Sequence, residues 1–165
     1  MRAVRLTALL ALPLFMTACR EPDTRVATAT TAAESAAAAD AAPADTIVVY
    51  KSPSCGCCNA WVDHVEENGF AVVEHNTDDL IPIKQRHGVP AGHTSCHTGT
   101  VRGYTIEGHV PADLIRRMID EKAAFRGLAV PGMPMGSPGM EGLIKQKYDV
   151  LSFDDQGRTS VYAKR

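Results

Sequence analysis

The stretch Ile47-Val48-Val49-Tyr50-Lys51-Ser52-Pro53-Ser54-Cys55-Gly56-Cys57-Cys58-Asn59-Ala60-Trp61-Val62 decides how the chain is read. Its first four residues are β-branched or aromatic and end at Lys51-Ser52-Pro53-Ser54, which predicts a short buried strand entering a loop. Cys58, Trp61, Val62 and Val65 then recur at helical spacing and Gly69 supplies a stop, which predicts a helix beginning at the cysteines. Phe70-Ala71-Val72-Val73-Glu74 reads as the next strand. Asp78 or Asp79 is expected to cap a helix that runs to about His87 and ends at Gly88. The chain therefore opens as β-α-β-α.

Working outward toward the C-terminus, Thr94 to Val101 and Tyr104 to Glu107 flank Arg102-Gly103 and predict a hairpin. Pro111 is expected at the first position of a helix that turns Leu114, Ile115, Met118 and Ile119 inward. A second hairpin closes the chain, Tyr148 to Phe153 and Thr159 to Tyr162 around Asp154-Asp155-Gln156-Gly157. Between helix and hairpin lies Val130-Pro131-Gly132-Met133-Pro134-Met135-Gly136-Ser137-Pro138-Gly139-Met140, whose Gly and Pro forbid regular structure. Either the first hairpin or the terminal one could sit beside the first strand. The first is preferred.

Toward the N-terminus, Met1 to Ala18 carries Arg2, Arg5, an apolar run from Leu6 to Phe15 and then Met16-Thr17-Ala18-Cys19, the layout of a signal peptide. The run is shorter than the roughly 20 residues a membrane-spanning helix needs. The small residues before Cys19 resemble a lipobox, which would make Cys19 an acylated first residue; cleavage after Ala27-Thr28-Ala29 is the alternative. Residues 19–45 are Ala, Thr, Pro and acid, a flexible tether unable to bury a core. The folded domain is expected over residues 46–165, in the periplasm or cell envelope, touching membrane only through a lipid on Cys19.

With 165 residues, 45% of them hydrophobic, the chain suffices for one ordinary domain. Lys and Arg number 17 against 19 Asp and Glu, so there is no electrostatic footprint for nucleic acid. Five Cys, six His and six Met stand beside only 5% aromatic residues, so chemistry is sought on sulfur and imidazole. No Walker, H-E-x-x-H or G-x-S-x-G motif is present to suggest a nucleotide enzyme or hydrolase.

Cys55 and Cys58 form a C-x-x-C pair at a helix N-terminus, where free N–H groups and the helix dipole favour thiolate. Strand, C-x-x-C, helix, strand is the thioredoxin-like order, so the fold class is α/β, thioredoxin-like, with an additional β-hairpin. In that frame Cys55 would attack and Cys58 resolve, as in a thiol-disulfide oxidoreductase. Cys57 does not belong to such a pair: a dithiol switch needs two sulfurs, and a third supplies another ligand. Cys96, in Gly92-His93-Thr94-Ser95-Cys96-His97, can reach the others if its hairpin packs beside the first strand. Four thiols suit zinc, but three ligands within four residues bridge several ions more naturally, and soft Cu(I) suits shared thiolates best. A disulfide staple is the bland reading for an exported domain. Met133, Met135 and Met140 offer thioethers, soft copper ligands, or else fill gaps against a helix. His109 is a ligand or a hydrogen bonder at a loop end, and His64, His75 and His87 are expected to be solvated.

Tyr50 to Cys58 with Trp61, then Ser95-Cys96-His97, Gly103-Tyr104, Glu107 to Pro111, Pro131 to Pro134 and Gly139-Met140-Glu141 together resemble the CopG-like copper-resistance family. The likeness runs from about Ile47 to the C-terminus and leaves out the leader and tether. It implies a thioredoxin-like fold, an exported location, and copper, as Cu(I), held in a multinuclear thiolate-bridged cluster with a redox role. It points to Cys55, Cys57, Cys58 and Cys96 as ligands, with His97, His109 and the methionine loop as further candidates. The partners it implies are copper ions and other envelope copper-handling proteins.

Overall fold

A computed structural model describes residues 45–165; the expected leader, the Cys19 lipidation site and the tether up to residue 44 lie outside the described residues. The elements run β1 (Thr46–Lys51), α1 (Gly56–Glu67), β2 (Ala71–Asn76), α2 (Ile81–Arg86), a 3-10 turn (Ala91–His93), β3 (Thr98–Val101), β4 (Tyr104–Glu107), α3 (Ala112–Asp120), β5 (Gly127–Ala129), β6 (Asp149–Phe153) and β7 (Thr159–Lys164). All seven strands form one sheet in the order β2-β1-β3-β4-β5-β6-β7. This is a mixed α/β architecture, as the alternating periodicities predict.

Strand direction decides which loops share an end of the sheet. β1 pairs parallel with β2 and antiparallel with β3, β3 antiparallel with β4, and β4 parallel with β5. So β1, β2, β4 and β5 run one way and β3 runs the other. The first hairpin lies beside β1, the arrangement preferred from the sequence, and the terminal hairpin sits at the far edge against β5. The first hairpin turns tightly because Arg102 and Gly103 adopt φ of 46° and 84°, the two left-handed positions of a two-residue loop.

Alternation along the strands separates two faces. Ile47 and Val49 of β1 and Ile106 of β4 are fully buried and share a cluster with Trp61, Val62 and Val65 of α1 and Leu114, Ile115 and Met118 of α3. A Cβ on Gly99 would stand 3.7 Å from the Trp61 ring, which puts the indole directly over β3. Each such large apolar side chain contributes about 1.5–3 kcal/mol on burial. Trp61 also satisfies its one donor, giving its indole N–H to the Val110 carbonyl at 2.9 Å. Thr98 and Glu107, adjacent to inward residues, point to the opposite face, where they meet Lys84 of α2.

Several local expectations need correction. Neither Asp78 nor Asp79 caps α2: Leu80 is the N-cap without a side-chain bond, Asp78 accepts from Ser52 Oγ at 2.6 Å, and the Asp79 amide donates to Thr77 Oγ1. Ser52, from the loop after β1, thus takes up the Asp78 carboxylate that would otherwise be free to cap the helix. Pro111 is the N-cap of α3, extended at φ −62° and ψ 140°, rather than its first helical residue. Thr94 to His97 are not strand; β3 begins only at Thr98. β5 has no counterpart in the sequence reading, because Gly127-Leu128-Ala129 carries no β-branched residue. Among the described residues no helix is long and apolar enough to cross a membrane.

Candidate metal centre

Strand polarity gathers the candidate residues. β1, β4 and β5 all end at one edge of the sheet, and β3 begins there. The chain leaving β1 enters the cysteine-bearing start of α1, that leaving β4 reaches His109, that leaving β5 reaches Met133, and that entering β3 passes through Cys96 and His97. Four segments remote in sequence thus meet at a single end.

The four sulfurs of Cys55, Cys57, Cys58 and Cys96 all lie within 4.8 Å of one another. Cys55 and Cys58 are joined as a disulfide, with their Cα atoms 5.3 Å apart, while Cys57 and Cys96 are free and half-buried. The Cys57 sulfur is 3.6 Å from that of Cys55. Cys55 is the N-cap of α1 in an extended conformation and makes no side-chain cap bond, and the first turn holds no acidic side chain, so the positive end of the helix lies at the cysteines without a competing carboxylate in that turn.

Cys96 belongs to a second group with His97 and His109, whose ligand atoms also lie within 4.8 Å of one another. Its sulfur is 2.9 Å from His109 Nε2 and 3.3 Å from His97 Nδ1. His109 Nδ1 lies 2.7 Å from the Pro138 carbonyl oxygen, to which it can only donate. The lone pair is then on Nε2, facing Cys96. His97 is fully buried, its ring 4.4 Å from Trp61 and 5.1 Å from His109, and its Nε2 has no hydrogen-bond partner.

Burial dominates the electrostatics. It pushes the His97 pKa well below the ordinary 6.5, with neighbouring His109 next, and lowers that of His109 too. Both imidazoles are held neutral, the form that ligates metal. Burial, then the adjacent Cys57, raises the Cys96 thiol to about 12. A soft cation would displace that proton and offset the cost of desolvating the thiolate.

The loop after β5 closes over this end. A Cβ on Gly139, whose φ is +81°, would lie 2.5 Å from the Cys57 carbonyl and 2.8 Å from the Trp61 amide nitrogen, so the loop backbone rests directly on the first turns of α1. The Met133 sulfur comes to 4.0 Å from that of Cys57 while its side chain stays half exposed. Met135 and Met140 are tied into the loop itself: Met135 exchanges two bonds with Gln146, and the Met140 amide donates to the Ser137 carbonyl.

The structure therefore brings together Cys55, Cys57, Cys58, Cys96, His97, His109 and Met133. With the Cys55–Cys58 disulfide reduced, the donor set of four thiols with two neutral imidazoles and a thioether at the rim suits a soft metal, and the orphaned buried nitrogen of His97 is the kind of atom that a ligand would satisfy. His64, His75 and His87 belong to neither group. His64 is half-buried, not simply solvated: its Nε2 accepts from the Ala112 amide at 3.1 Å and so caps α3. His75 is exposed and stacks on Tyr50, as does half-buried His87. Ser95 and Glu107 entered the sequence reading only within motifs and without a role, and Lys84 was not singled out; all three lie directly behind Cys96 and His97.

The family described as "Protein of unknown function, DUF411" matches residues 93–140, a span that holds Cys96, His97, His109 and the methionine loop. No curated protein matches the chain. The solved structure "Copper resistance protein copG- Form 2" is 45% identical, with a TM-score of 0.70, covering 74% of this chain and 98% of that one. "Copper resistance protein copG- Form 1" is also 45% identical, with a TM-score of 0.69, covering 73% and 96%. At that identity over nearly the full length of both solved chains, this chain belongs to the CopG copper-resistance protein family.

Proposed function

We propose that the protein is an exported copper-binding protein of copper resistance that holds Cu(I) in a cysteine-bridged, multinuclear cluster on Cys55, Cys57, Cys58 and Cys96, with copper redox activity. His97 and His109 are the inner ligand candidates, Met133 the outer one, and Met135 and Met140 hold the loop that carries it. The observation that carries this reading is the meeting of all four sulfurs within 4.8 Å, two of which, Cys57 and Cys96, a dithiol switch does not use. Thiolate bridging is the chemistry that Cu(I) favours. The order β2-β1-β3-β4, with β1 and β2 parallel and the cysteines where β1 gives way to α1, supports a thioredoxin-like fold over residues 46–165, extended by β5 and the terminal hairpin. The leader-like first 18 residues and Cys19 support export to the periplasm or envelope on a lipid anchor, where other copper-handling proteins are the natural partners.

The disulfide between Cys55 and Cys58 favours a second reading, a thiol-disulfide oxidoreductase in which Cys55 attacks and Cys58 resolves. The two readings compete for the same atoms, because oxidation withdraws two of the four sulfurs from any metal. Anaerobic titration of the reduced protein with Cu(I), with metal analysis and Trp61 fluorescence, separates them. Trp61 is the single tryptophan and lies against His97, so copper at the centre quenches it. Tight uptake of more than one copper per chain is expected; no tight copper together with insulin-reductase activity overturns the proposal.

A further inference from the structure

Behind the metal centre lies a buried charged pair that the ligand set does not include. Lys84 of α2 and Glu107 of β4 meet at 2.6 Å with side chains 7% and 0% exposed. A buried ion pair seldom stabilises a fold more than apolar residues of the same volume would. Its cost calls for another explanation, and the partners of the carboxylate supply one.

Glu107 Oε1 accepts from the Ser95 amide at 2.6 Å as well as from Lys84, and Oε2 accepts from Thr98 Oγ1 at 2.7 Å. Ser95 immediately precedes Cys96, and Thr98 immediately follows His97. One carboxylate therefore grips the chain on both sides of the Cys96-His97 dipeptide. Thr98 Oγ1 also receives the Lys84 ammonium at 3.1 Å, which closes the network. On its own strand Glu107 stands two residues before His109, and the amide of the intervening Gly108 donates to the His97 carbonyl at 3.0 Å. Its own carbonyl accepts from Val130 at 2.9 Å, at the start of the methionine loop. Gly108 is confined to glycine by φ +69° and by Ser95, whose Oγ would stand 2.4 Å from a Cβ there, so the turn from Glu107 to His109 has no slack.

We propose that Glu107, held by Lys84, is the positioning residue of the metal centre: it fixes Cys96 and His97 from both flanks and sets their register against His109. The segment from Thr94 to His97 is neither helix nor strand, and the backbone–backbone bonds that tie it to other segments lie at its two ends, Gly132 N–H to the Thr94 carbonyl and Gly108 N–H to the His97 carbonyl. The Glu107 carboxylate adds bonds at Ser95 and Thr98 on either side of the dipeptide, and three donors on one acceptor group in a dry site leave little freedom. This inference rests on the metal-binding reading above, and it predicts the conformation of Cys96 whether or not metal is present.

The test compares two charge-free versions of the pair in the full chain. K84M/E107Q keeps an acceptor for Ser95 and a polar partner for Thr98; K84M/E107L keeps bulk and neither bond. Two readouts apply: Cu(I) affinity by competition with a chromophoric chelator, and, in metal-free protein, the rate at which iodoacetamide modifies Cys96 relative to Cys57. We expect K84M/E107L to lose about 10- to 100-fold in copper affinity, the usual effect of removing an outer partner of a ligand, and to expose Cys96 to faster alkylation. K84M/E107Q is expected to restore both. Thr98→Val, an isosteric change that cuts one arm, should move both readouts in the same direction by a smaller amount, and it keeps the test open if the leucine variant does not fold. Equal affinity and equal Cys96 reactivity in folded K84M/E107L or, failing that, in Thr98→Val would overturn the inference. Failure of the wild type to bind Cu(I) would instead refute the metal reading, and the alkylation ratio would still decide whether Glu107 positions Cys96.

Discussion

Replacing Gly139 by alanine tests whether the methionine loop is seated on α1 or merely passes near it. The added methyl would stand 2.5 Å from the Cys57 carbonyl oxygen and 2.8 Å from the Trp61 amide nitrogen, against the 3.4 Å at which ordinary contact begins. Both atoms are backbone inside a helix and cannot swing aside, so the loop must lift by about 1 Å. Holding an L-residue in the left-handed conformation costs about 1–2 kcal/mol, and overpacking adds about 1–3 kcal/mol. The bonds that seat the loop, chiefly His109 to Pro138, contribute about 1 kcal/mol each. The loop therefore yields before the sheet does. Global stability should fall by only about 1–2 kcal/mol, the worth of the seat.

The effect on the centre should be larger. Lifting the loop removes the carbonyl that fixes the His109 tautomer and carries Met133 away from Cys57. Copper affinity is expected to drop about 10- to 100-fold, with faster protease cleavage between residues 131 and 142. Gly157→Ala is the control, since Gly157 has φ +74° but nothing within 4 Å of its Cβ and lies in the β6–β7 turn. It bears the conformational strain without the clash. If Gly139→Ala matched that control in copper affinity and loop protection, the argument that the loop is seated on the cysteine helix would be refuted.

Cys57→Ser should lower the copper count while leaving the Cys55–Cys58 disulfide able to form, because it removes the sulfur that a dithiol does not need; metal analysis beside thiol counting checks this. Replacing Met133, Met135 and Met140 together by Leu keeps volume and apolarity, so stopped-flow Trp61 quenching should show slower copper uptake with an unchanged urea midpoint. Wild-type uptake would leave the methionines as packing. Metal-free protein should lose stability as the pH falls through 6.5, because burial holds His97 well below that value and the unfolded chain takes up its proton first. The His97 share of the loss is about 1.4 kcal/mol per pH unit until its folded-state value is reached, and His97→Gln should make the slope shallower by that share in urea titrations, leaving the part due to His64, His87 and His109, which burial also lowers.

What was legible in the sequence was local. Ile47 to Tyr50 announced β1, Cys58, Trp61, Val62 and Val65 announced α1, and the density of sulfur announced the chemistry. The first hairpin was legible in Arg102-Gly103, whose left-handed pair explains the turn. Lys84 and Glu107 were not legible: α2 has six residues, too few to show a periodic face, and Tyr104-Thr105-Ile106-Glu107 alternates as though Glu107 met water. Only the position of α2 over that face makes Glu107 fully buried. The role of His64 was hidden for a similar reason, since the amide that it caps lies 48 residues away.

The assembly of the centre hinges on the element that the sequence showed least. β5 is three residues long, and a Cβ on Gly127 would stand 2.1 Å from the Thr105 carbonyl and 2.8 Å from Phe153, so glycine is what lets the strand lie against β4 at all. Because it lies there in parallel, Val130 emerges beside Gly108 and His109, and the methionine loop starts already at the cysteine end of the sheet. An antiparallel strand in the same slot would have delivered Met133 to the opposite end, more than a strand length from any sulfur. A glycine that looks like a strand breaker in the sequence thus governs whether a thioether and the Pro138 carbonyl reach the site. Gly127→Val should accordingly reduce copper affinity although no atom of residue 127 approaches the metal ligands. Unchanged copper binding in a folded Gly127→Val protein would mean that the loop finds its seat without β5.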